Sequence, residues 1–354
     1  MALLNSMNTA FSAMNGFKKG FDVVSNNISN VNSIAFKSSR MTYVPAFSTI
    51  LQRSVPFSAN ANSNQATMQV GNGIDIGGTP MNFSQGALES TEQETDMAIV
   101  GDGFFKVSDK VSNTDYLTRA GNFRKDNNNF IVTYMQGYRL QGLRYDSTNM
   151  PSYKVEYSDQ DGIIFTVVAP NQDKHEPTLG DIQIGFGYTD ESIENFNPAA
   201  VSGGHLYLDA TAQAAITAGK ISRENVISVA PTIRDFSVSD IGEVYFTFND
   251  NNSTKALGAT ILLTNVKDPQ ALAHEGDGLF SGMDAAGVYA FNTDESGAGK
   301  NGIGYIRSKS LEMSNVDLTK EFSDTITLQR GFQAAARVIT VSDEILNEVV
   351  NLKR

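Results

Sequence analysis

The chain has 354 residues, enough for two or three domains with sizeable cores. It contains no cysteine, which excludes disulfide frameworks, thiolate zinc sites and thiol nucleophiles. Its 39 acidic residues outnumber the 27 basic ones and give a net charge of −12, which argues against nucleic acid or an anionic membrane as the main partner.

The first 31 residues predict one long amphipathic helix. Apolar side chains recur there at alternating steps of four and three residues, the a/d pattern of a coiled coil. The stripe consists of Leu3, Met7, Ala10, Met14, Phe17, Phe21, Val24, Ile28 and Val31. The segment lacks the basic region and cleavage site typical of a secretory signal, and no stretch of the chain has the apolar length of a membrane span.

The polar face of this helix is unusual. Positions 1–36 hold only three charges, Lys18, Lys19 and Asp22, whereas a solvated helix normally carries more. We therefore expect neighbouring copies of the chain to pack around it. Glycines would allow close approach of helices, unless they are merely tolerated in an ordinary two-helix pair; they are Gly16, Gly20 and Gly331.

Beyond the first helix the periodicity changes to short strands broken by turn residues. Residues 57–69 are small, polar and aperiodic, which predicts a loop or linker. DMAIVGDGFFKV at 96–107 predicts a hairpin that turns at residues 101–103, and FRKDNNNFIVTY at 123–134 predicts another. Asp268 followed by proline predicts the start of a short helical turn.

A second long helix is predicted near the C-terminus, with Asp317 as its N-cap. Its apolar series is Leu328, Phe332, Ala335, Ile339, Ser342, Leu346 and Val349, widened by Val338, Ile345 and Leu352. A lone amphipathic helix cannot bury such a stripe, and the comparable partner lies at the other end of the chain. We therefore expect the two termini to pair and the β elements to form an insertion between them.

The motifs that resemble binding sites are better explained as turns. GNGIDIG at 71–77 is glycine-rich, but a proline follows where a nucleotide-binding loop needs a helix. SDQDG at 158–162 and KDNNN at 125–129 lack the further acids of a calcium loop. We expect no metal and no cofactor.

Catalytic groups are equally scarce. Glu92, Glu94 and Asp96 occupy alternate positions, which predicts that they share one solvated strand face. His274, next to Glu275, is predicted to be an exposed loop histidine. The pattern indicates a protein that is not an enzyme.

Two terminal segments resemble a known family. SNNISNVNSIAFKSS at 25–39 is similar to the signature that follows the first helix of bacterial flagellar axial proteins, the rod and hook subunits, and residues 311–352 resemble their C-terminal helix. Segments 70–107, 117–142 and 256–281 are similar too, so that the resemblance covers about half of the chain. The residues that carry the two terminal motifs are Asn26, Asn27, Asn30, Val31, Phe36, Lys37, Asn315, Val316, Asp317, Gln329 and Arg330.

The sequence departs from the family at Ala35. It stands where these proteins usually have glycine, and the turn there is expected to be less tight.

The resemblance implies an α+β fold in which the N- and C-terminal helices pair as a coiled coil and carry inserted all-β domains. The expected division is 1–32 with 314–354 as the inner helical domain, 33–75 with 296–313 as linker, 76–145 with 231–295 as β domain, and 146–230 as a small outer β domain.

The function that it implies is a structural subunit of the flagellar hook, which polymerises through its terminal helices into a curved hollow tube and acts as a universal joint between rod and filament. The implied location is the flagellum, outside the cell after flagellar type III export. The implied partners are other copies of the chain, the hook cap, the distal rod, the hook-filament junction proteins and the export apparatus.

Two other functions remain open at this point. One is a distal rod subunit, which shares both ends but forms a straight shaft. The other is a secreted β-domain binding protein whose end helices are only a stalk.

Overall fold

The computed structural model describes residues 2–54, 66–145, 150–160, 162–168, 177–185, 193–195, 204–250, 253–289, 297–300 and 302–352. The chain divides into a terminal unit, Met1–Gly86 with Met313–Arg354, and a central unit, Ala87–Glu312. The four-part division expected from the sequence is finer than this one.

A long helix occurs at each end of the chain, as the heptad patterns predict. The α-helices of the described ranges are α1 (Ala2–Ser29), α2 (Ala210–Thr217), α3 (Arg223–Val229), α4 (Met283–Ala286) and α5 (Leu318–Leu352). The Asp317 carboxylate accepts hydrogen bonds from the backbone N–H groups of Thr319, at 2.9 Å, and Lys320, at 3.4 Å, which confirms the predicted N-cap of α5.

The first helix is two residues shorter than predicted. The backbone N–H of Asn30 is shared between the carbonyls of Asn26 and Asn27, and that of Val31 bonds the Ile28 carbonyl. These tighter bonds end α1 at Ser29 and turn the chain.

The two long helices run antiparallel. Phe17 of α1 lies against Gly331 of α5, and Gly20 lies against Leu328. Residue numbers therefore fall along α5 as they rise along α1.

Two antiparallel strand pairs complete the terminal unit. The strands are β1 (Thr42–Pro45), β2 (Ser48–Gln52), β3 (Met68–Gly71) and β4 (Ile74–Gly78), with β1 paired to β4 and β2 to β3. The loop predicted over 57–69 is wrong at its end, because Met68 and Gln69 pair with β2. The rest of that loop, up to residue 65, lies outside the described residues.

The central unit is built mainly of strands. Its first seven are β5 (Leu88–Ser90), β6 (Met97–Val100), β7 (Phe104–Asp109), β8 (Thr114–Thr118), β9 (Phe123–Lys125), β10 (Ile131–Thr133) and β11 (Arg139–Arg144). The next five are β12 (Ser152–Ser158), β13 (Gly162–Val168), β14 (Thr178–Asp181), β15 (Ile193–Asn195) and β16 (Leu206–Leu208). The last eight are β17 (Ile233–Val238), β18 (Glu243–Phe248), β19 (Lys255–Ile261), β20 (Leu263–Thr264), β21 (Ala273–Gly276), β22 (Leu279–Ser281), β23 (Tyr305–Ser308) and β24 (Ser310–Glu312).

One 12-stranded sheet dominates this unit, in the order β17-β18-β19-β11-β7-β8-β22-β21, with β9, β10, β14 and β20 attached to it. Its core is apolar and includes Phe105, Leu140, Phe246 and Ile261. The chain enters and leaves the unit on paired strands, since β5 pairs with β24 and β6 with β23.

Two turn predictions for this unit are confirmed and one is wrong. The hairpin over 123–134 forms as β9 and β10, and the helical turn after Asp268 forms as a 3-10 helix over Pro269–Ala271. The hairpin over 96–107 does not form, because β6 pairs with β23 whereas β7 pairs with β8. Asp102, in the segment between β6 and β7, accepts a hydrogen bond at its carbonyl from the Gly304 N–H at 2.7 Å.

A small lobe with its own core lies within residues 150–230. Four strands in the order β13-β12-β16-β15 pack there with α2 and α3 around Tyr153, Leu206 and Val226. Strands alone are expected for this region, whereas the structure adds the two helices. Ser222 caps α3 by accepting a bond from the Asn225 N–H at 3.2 Å. The strand β14 belongs to the large sheet, where it pairs with β11.

Neither of the long helices, nor any shorter one in the described part of the chain, combines the length and apolarity that crossing a membrane requires.

Candidate functional site

Each of the two long helices carries a glycine at the contact between them. A Cβ atom added at Gly331 would lie 2.8 Å from the Phe17 ring, and one added at Gly20 would lie 3.0 Å from a Leu328 methyl group. Both glycines therefore permit the close packing of α1 on α5. Gly16 does not serve this purpose as expected, because its added Cβ would meet Ile74 of β4 at 2.8 Å.

The N-terminal stripe lies along this helix contact. Ala10 and Val24 are buried. The half-buried members are Met7, Met14, Phe17, Phe21 and Ile28. Val31 lies in the turn that follows α1, and Leu3 belongs to the first turn of the helix.

Only part of the C-terminal stripe lies along the contact between α1 and α5. Ala335 and Ser342 are buried, and the half-buried members are Leu328, Ile339 and Leu346. Phe332 and Val349 are exposed, at 36% and 55%. The strict heptad places Phe332 in the contact, but Gly331 occupies that place under the Phe17 ring, and the next residue is rotated outward by about 100°.

Asn27 closes the turn that follows α1. Its side chain is 1% exposed, its Nδ2 donates to the Ser39 carbonyl at 2.7 Å, and its Oδ1 accepts from the Ser39 N–H at 3.0 Å. Ala35 within this turn has φ +56°, the left-handed region that favours glycine. An alanine holds the left-handed conformation that costs a glycine nothing, at about 1–2 kcal/mol.

Asn315 ties three segments of the terminal unit together. Its Nδ2 donates to the carbonyls of Asn82, at 2.7 Å, and Ser84, at 2.9 Å, while its Oδ1 accepts from the Ser38 N–H at 2.8 Å. Its own N–H bonds the Phe36 carbonyl. Its Nδ2 also lies 3.3 Å from the Ser84 hydroxyl oxygen. Such a pattern needs an amide side chain with both a donor and an acceptor.

Lys37 is buried beside this asparagine. Its Nζ donates to the same Ser84 carbonyl at 2.9 Å. The two motif segments that are far apart in sequence, 25–39 and 311–317, therefore meet in one junction.

Glu321 is a buried carboxylate in the first turn of α5. It is 7% exposed, and its Oε2 has no hydrogen-bond partner among the described residues. Burial raises the pKa of this carboxyl, and a hydrogen bond with the Asn27 side chain opposes the rise.

The remaining motif residues lie at the edge of this arrangement. The Asn30 Nδ2 donates to the Asn26 carbonyl at 2.9 Å, and Val316 is half-buried. Gln329 and Arg330 lie exposed on α5.

Sequence reasoning missed several contacts of the junction and of α1. Ser39, Ser84 and Ile74 lie within segments that resemble the family but were not singled out, because they contribute mainly backbone groups or pairwise packing. Tyr43 donates from its hydroxyl to the Gly16 carbonyl at 3.3 Å. Phe11 was also not singled out. It could have been noticed as an apolar residue that lies outside the N-terminal heptad stripe, on a helix with few charges.

A buried ion pair stabilises the central unit near its chain exit. Arg119 Nη1 lies 3.4 Å from Glu312 Oε2, and these side chains are 3% and 0% exposed. Arg119 Nη2 also donates to the Gly101 carbonyl at 2.9 Å, and the guanidinium lies over the Phe104 ring.

The acidic and histidine candidates form no reactive arrangement. Glu92, Glu94 and Asp96 do not share a strand face as predicted, because residues 91–95 form no strand and Asp96 is buried. His274 is exposed but lies on β21 rather than in a loop. No group of three potential metal ligands occurs among the residues that the structure describes.

Comparison with known proteins identifies relatives along the whole chain. Family models match at residues 7–37 (Flagella basal body rod protein), 98–195 (Flagellar hook protein FlgE/F/G D1 domain) and 307–352 (Flagellar basal body rod FlgEFG protein C-terminal).

Individual relatives are of two kinds. The chain is 30% identical to the flagellar basal-body rod protein FlgG of Bacillus subtilis, across 99% of this chain and all of that protein. It is 26% identical to the flagellar hook protein FlgE of Borreliella burgdorferi, across 99% and 100% of the two chains, and 24% identical to that of Escherichia coli, across 97% and 99%. Among solved structures, the flagellar hook protein FlgE2 of Helicobacter pylori matches 64% of this chain and 100% of its own, with a TM-score of 0.35 and 11% identity.

Proposed function

The chain belongs to the family of flagellar hook and basal-body rod proteins, and within that family we propose that it is a subunit of the hook. Membership makes it a structural component of the flagellum and not an enzyme. The stalked binding protein considered from the sequence is thereby set aside.

The observation that supports a hook is the separately cored lobe at 150–230. A tube that bends as it rotates lengthens on one side and shortens on the other, so its outer contacts must exchange easily. The lobe carries exposed ion pairs such as Lys220 with Asp159, at 2.7 Å, and solvent-exposed contacts of this kind are weak. Such a surface suits interfaces that slide.

The terminal unit would supply the tighter inner layer. We propose that its apolar stripes hold the helix pair together and that the flanks of the pair contact other copies of the chain. The junction around Asn315 would hold the pair at a fixed angle to the chain segments that leave it. The helical, linker, β and outer domains expected from the sequence would be the structural divisions of this subunit.

The other partners that we propose follow from this assignment. They are the hook cap, the distal rod, the hook-filament junction proteins and the flagellar type III export apparatus, with delivery to the cell exterior.

A distal rod subunit is the second candidate. The 30% identity to the rod protein of Bacillus subtilis, which covers the whole of that protein, favours it. A rod subunit would use the same terminal unit but form a straight shaft.

Electron microscopy of the purified full-length chain after assembly tests this proposal. Curved tubes are expected for a hook subunit, whereas straight rods would contradict the hook and favour the rod. Phe17→Asp places a charge in the helix contact and is expected to abolish the tubes while the central unit stays folded. Tubes of normal length from this variant would contradict assembly through the terminal unit.

A further inference from the structure

An open groove runs along one flank of the helix pair. It has a volume of about 880 Å³ and is bounded by α1, α5 and the pair of strands β2 and β3. Thr9 and Ala13 line it from α1, Ala334 and Val338 from α5, and Leu51 and Val70 from the strands. None of the described residues that line this groove carries a charge.

Two exposed aromatic side chains lie on the opposite flank. On α1, successive residues are rotated by about 100°, so that Thr9 and Phe11 lie on opposite sides of the buried Ala10. On α5, Ala334 and Phe332 likewise lie on opposite sides of the buried Ala335. Phe11 is 55% exposed and Phe332 is 36% exposed.

The two rings are close neighbours along the pair. The antiparallel register of Phe17 on Gly331 places Phe11 level with the exposed Arg337, about 7.5 Å along α5 from Phe332. One flank therefore presents an aromatic ridge, defined by Phe11 and Phe332, and the other presents the groove.

We propose that the aromatic ridge of one copy of this chain docks in the groove of the next copy. The lining of the groove is apolar and uncharged, and its walls contain small residues that let a helix approach. The ridge consists of two phenylalanine rings, and aromatic side chains are the usual anchors of such contacts. A second copy satisfies both surfaces at once, because each copy offers one of each.

The arrangement also limits the symmetry. A ridge and a groove on opposite flanks cannot pair reciprocally in a closed dimer, so the contact is head-to-tail and repeats from copy to copy, as a helical polymer requires. The inference rests on the proposed polymerisation and identifies the surfaces that carry it.

Cysteine cross-linking tests the contact directly, because the chain contains no cysteine of its own. Four double variants combine Phe11→Cys or Phe332→Cys with Ala13→Cys or Ala334→Cys in the full-length chain. After assembly and oxidation, at least one is expected to give a ladder of covalent multimers. A bridge within one copy is excluded, since the two thiols lie on opposite flanks.

Matched variants serve as controls. Gln333→Cys with Ala334→Cys, in which the first thiol is exposed beside the ridge, is expected to give no ladder. Phe11→Ser is expected to raise the concentration needed for assembly at least tenfold without changing the melting temperature of the monomer, whereas Asn15→Ser, one turn away and also exposed, is expected to change neither.

The outcomes separate this inference from the proposed function. If the unmodified chain forms no polymer, both are wrong. If it polymerises but no double variant gives a ladder and Phe11→Ser assembles normally, only the docking of ridge in groove is overturned. Covalent dimers from Phe11→Cys alone would mean that the ridge pairs with itself, which also overturns it.

Discussion

Asn27 and Ser39 form a closed pair of hydrogen bonds across the turn that ends α1. The amide of one side chain satisfies both backbone groups of the other residue, at 2.7 and 3.0 Å. Because Asn27 is almost completely buried, no water can replace it without rearrangement.

We expect Asn27→Ala to destabilise the terminal unit by about 2–3 kcal/mol, since both hydrogen bonds with Ser39 are lost together with the one to Glu321. Thermal unfolding followed by circular dichroism measures the effect. Asn26→Ala is the control, because Asn26 is exposed, and its cost should stay below about 0.5 kcal/mol. Equal losses in the two variants would contradict the role of the pair.

Gly20→Val is expected to destabilise the helix pair by about 1–3 kcal/mol. Valine is the better helix former of the two, but its Cβ would press on Leu328 and on the Tyr43 hydroxyl. Gly71→Ala provides the comparison, because an added Cβ there meets nothing within 4 Å. Urea unfolding of both variants decides the matter, and a gain in stability for Gly20→Val would refute close helix packing at this point.

Glu321→Gln is expected to stabilise the terminal unit at pH 7 by about 1 kcal/mol, because the amide keeps the shape of the side chain without a buried charge. The raised pKa of Glu321 means that the folded state holds this proton at a pH where the unfolded state has released it. The contribution of Glu321 to stability therefore falls as the pH rises from the usual pKa of a glutamate to the raised pKa of the folded state. Above the raised pKa this contribution no longer changes with pH.

The difference in unfolding free energy between this variant and the unmodified chain should accordingly grow from pH 4 to pH 7. Glu344→Gln, on the exposed face of α5, should show no such growth. A parallel pH dependence in the two variants would contradict the assignment.

Arg119→Met is expected to cost the central unit about 3–5 kcal/mol, because the fully buried Glu312 loses its cationic partner. Lys309→Met breaks the exposed pair with Glu94 and should cost less than about 1 kcal/mol. Denaturant unfolding of the full chain compares them, and similar midpoints would show that the buried pair contributes little.

Periodicity predicted the two long helices, their pairing and the cap at Asp317, because these features depend on local pattern and on the absence of any other partner. It misplaced Phe332, since a heptad pattern cannot detect that Gly331 accommodates the Phe17 ring. It also predicted a hairpin of β6 and β7, which pair instead with β23 and β8. Glycines between two strands permit a tight turn, but they do not determine whether those two strands pair with each other.

The junction was predictable only through resemblance to a family. Asn27, Lys37 and Asn315 bond mainly backbone carbonyls and N–H groups, and a backbone group is present whatever the side chain, so periodicity and composition do not mark these contacts. Ala35 departs from the residue usual in that family, yet its φ of +56° lies in the region that favours glycine.

The bond from the Ser38 N–H to Asn315 joins residues 277 positions apart, and it has a consequence for the timing of folding. In any delivery of the chain from its N-terminus onward, α1 and the segment after it must wait for almost the whole polypeptide before their partners arrive. The central unit, whose strands all lie between Leu88 and Glu312, faces a shorter delay. The terminal unit should therefore be the last part of each molecule to become ordered, and the slowest, since distant contacts close late.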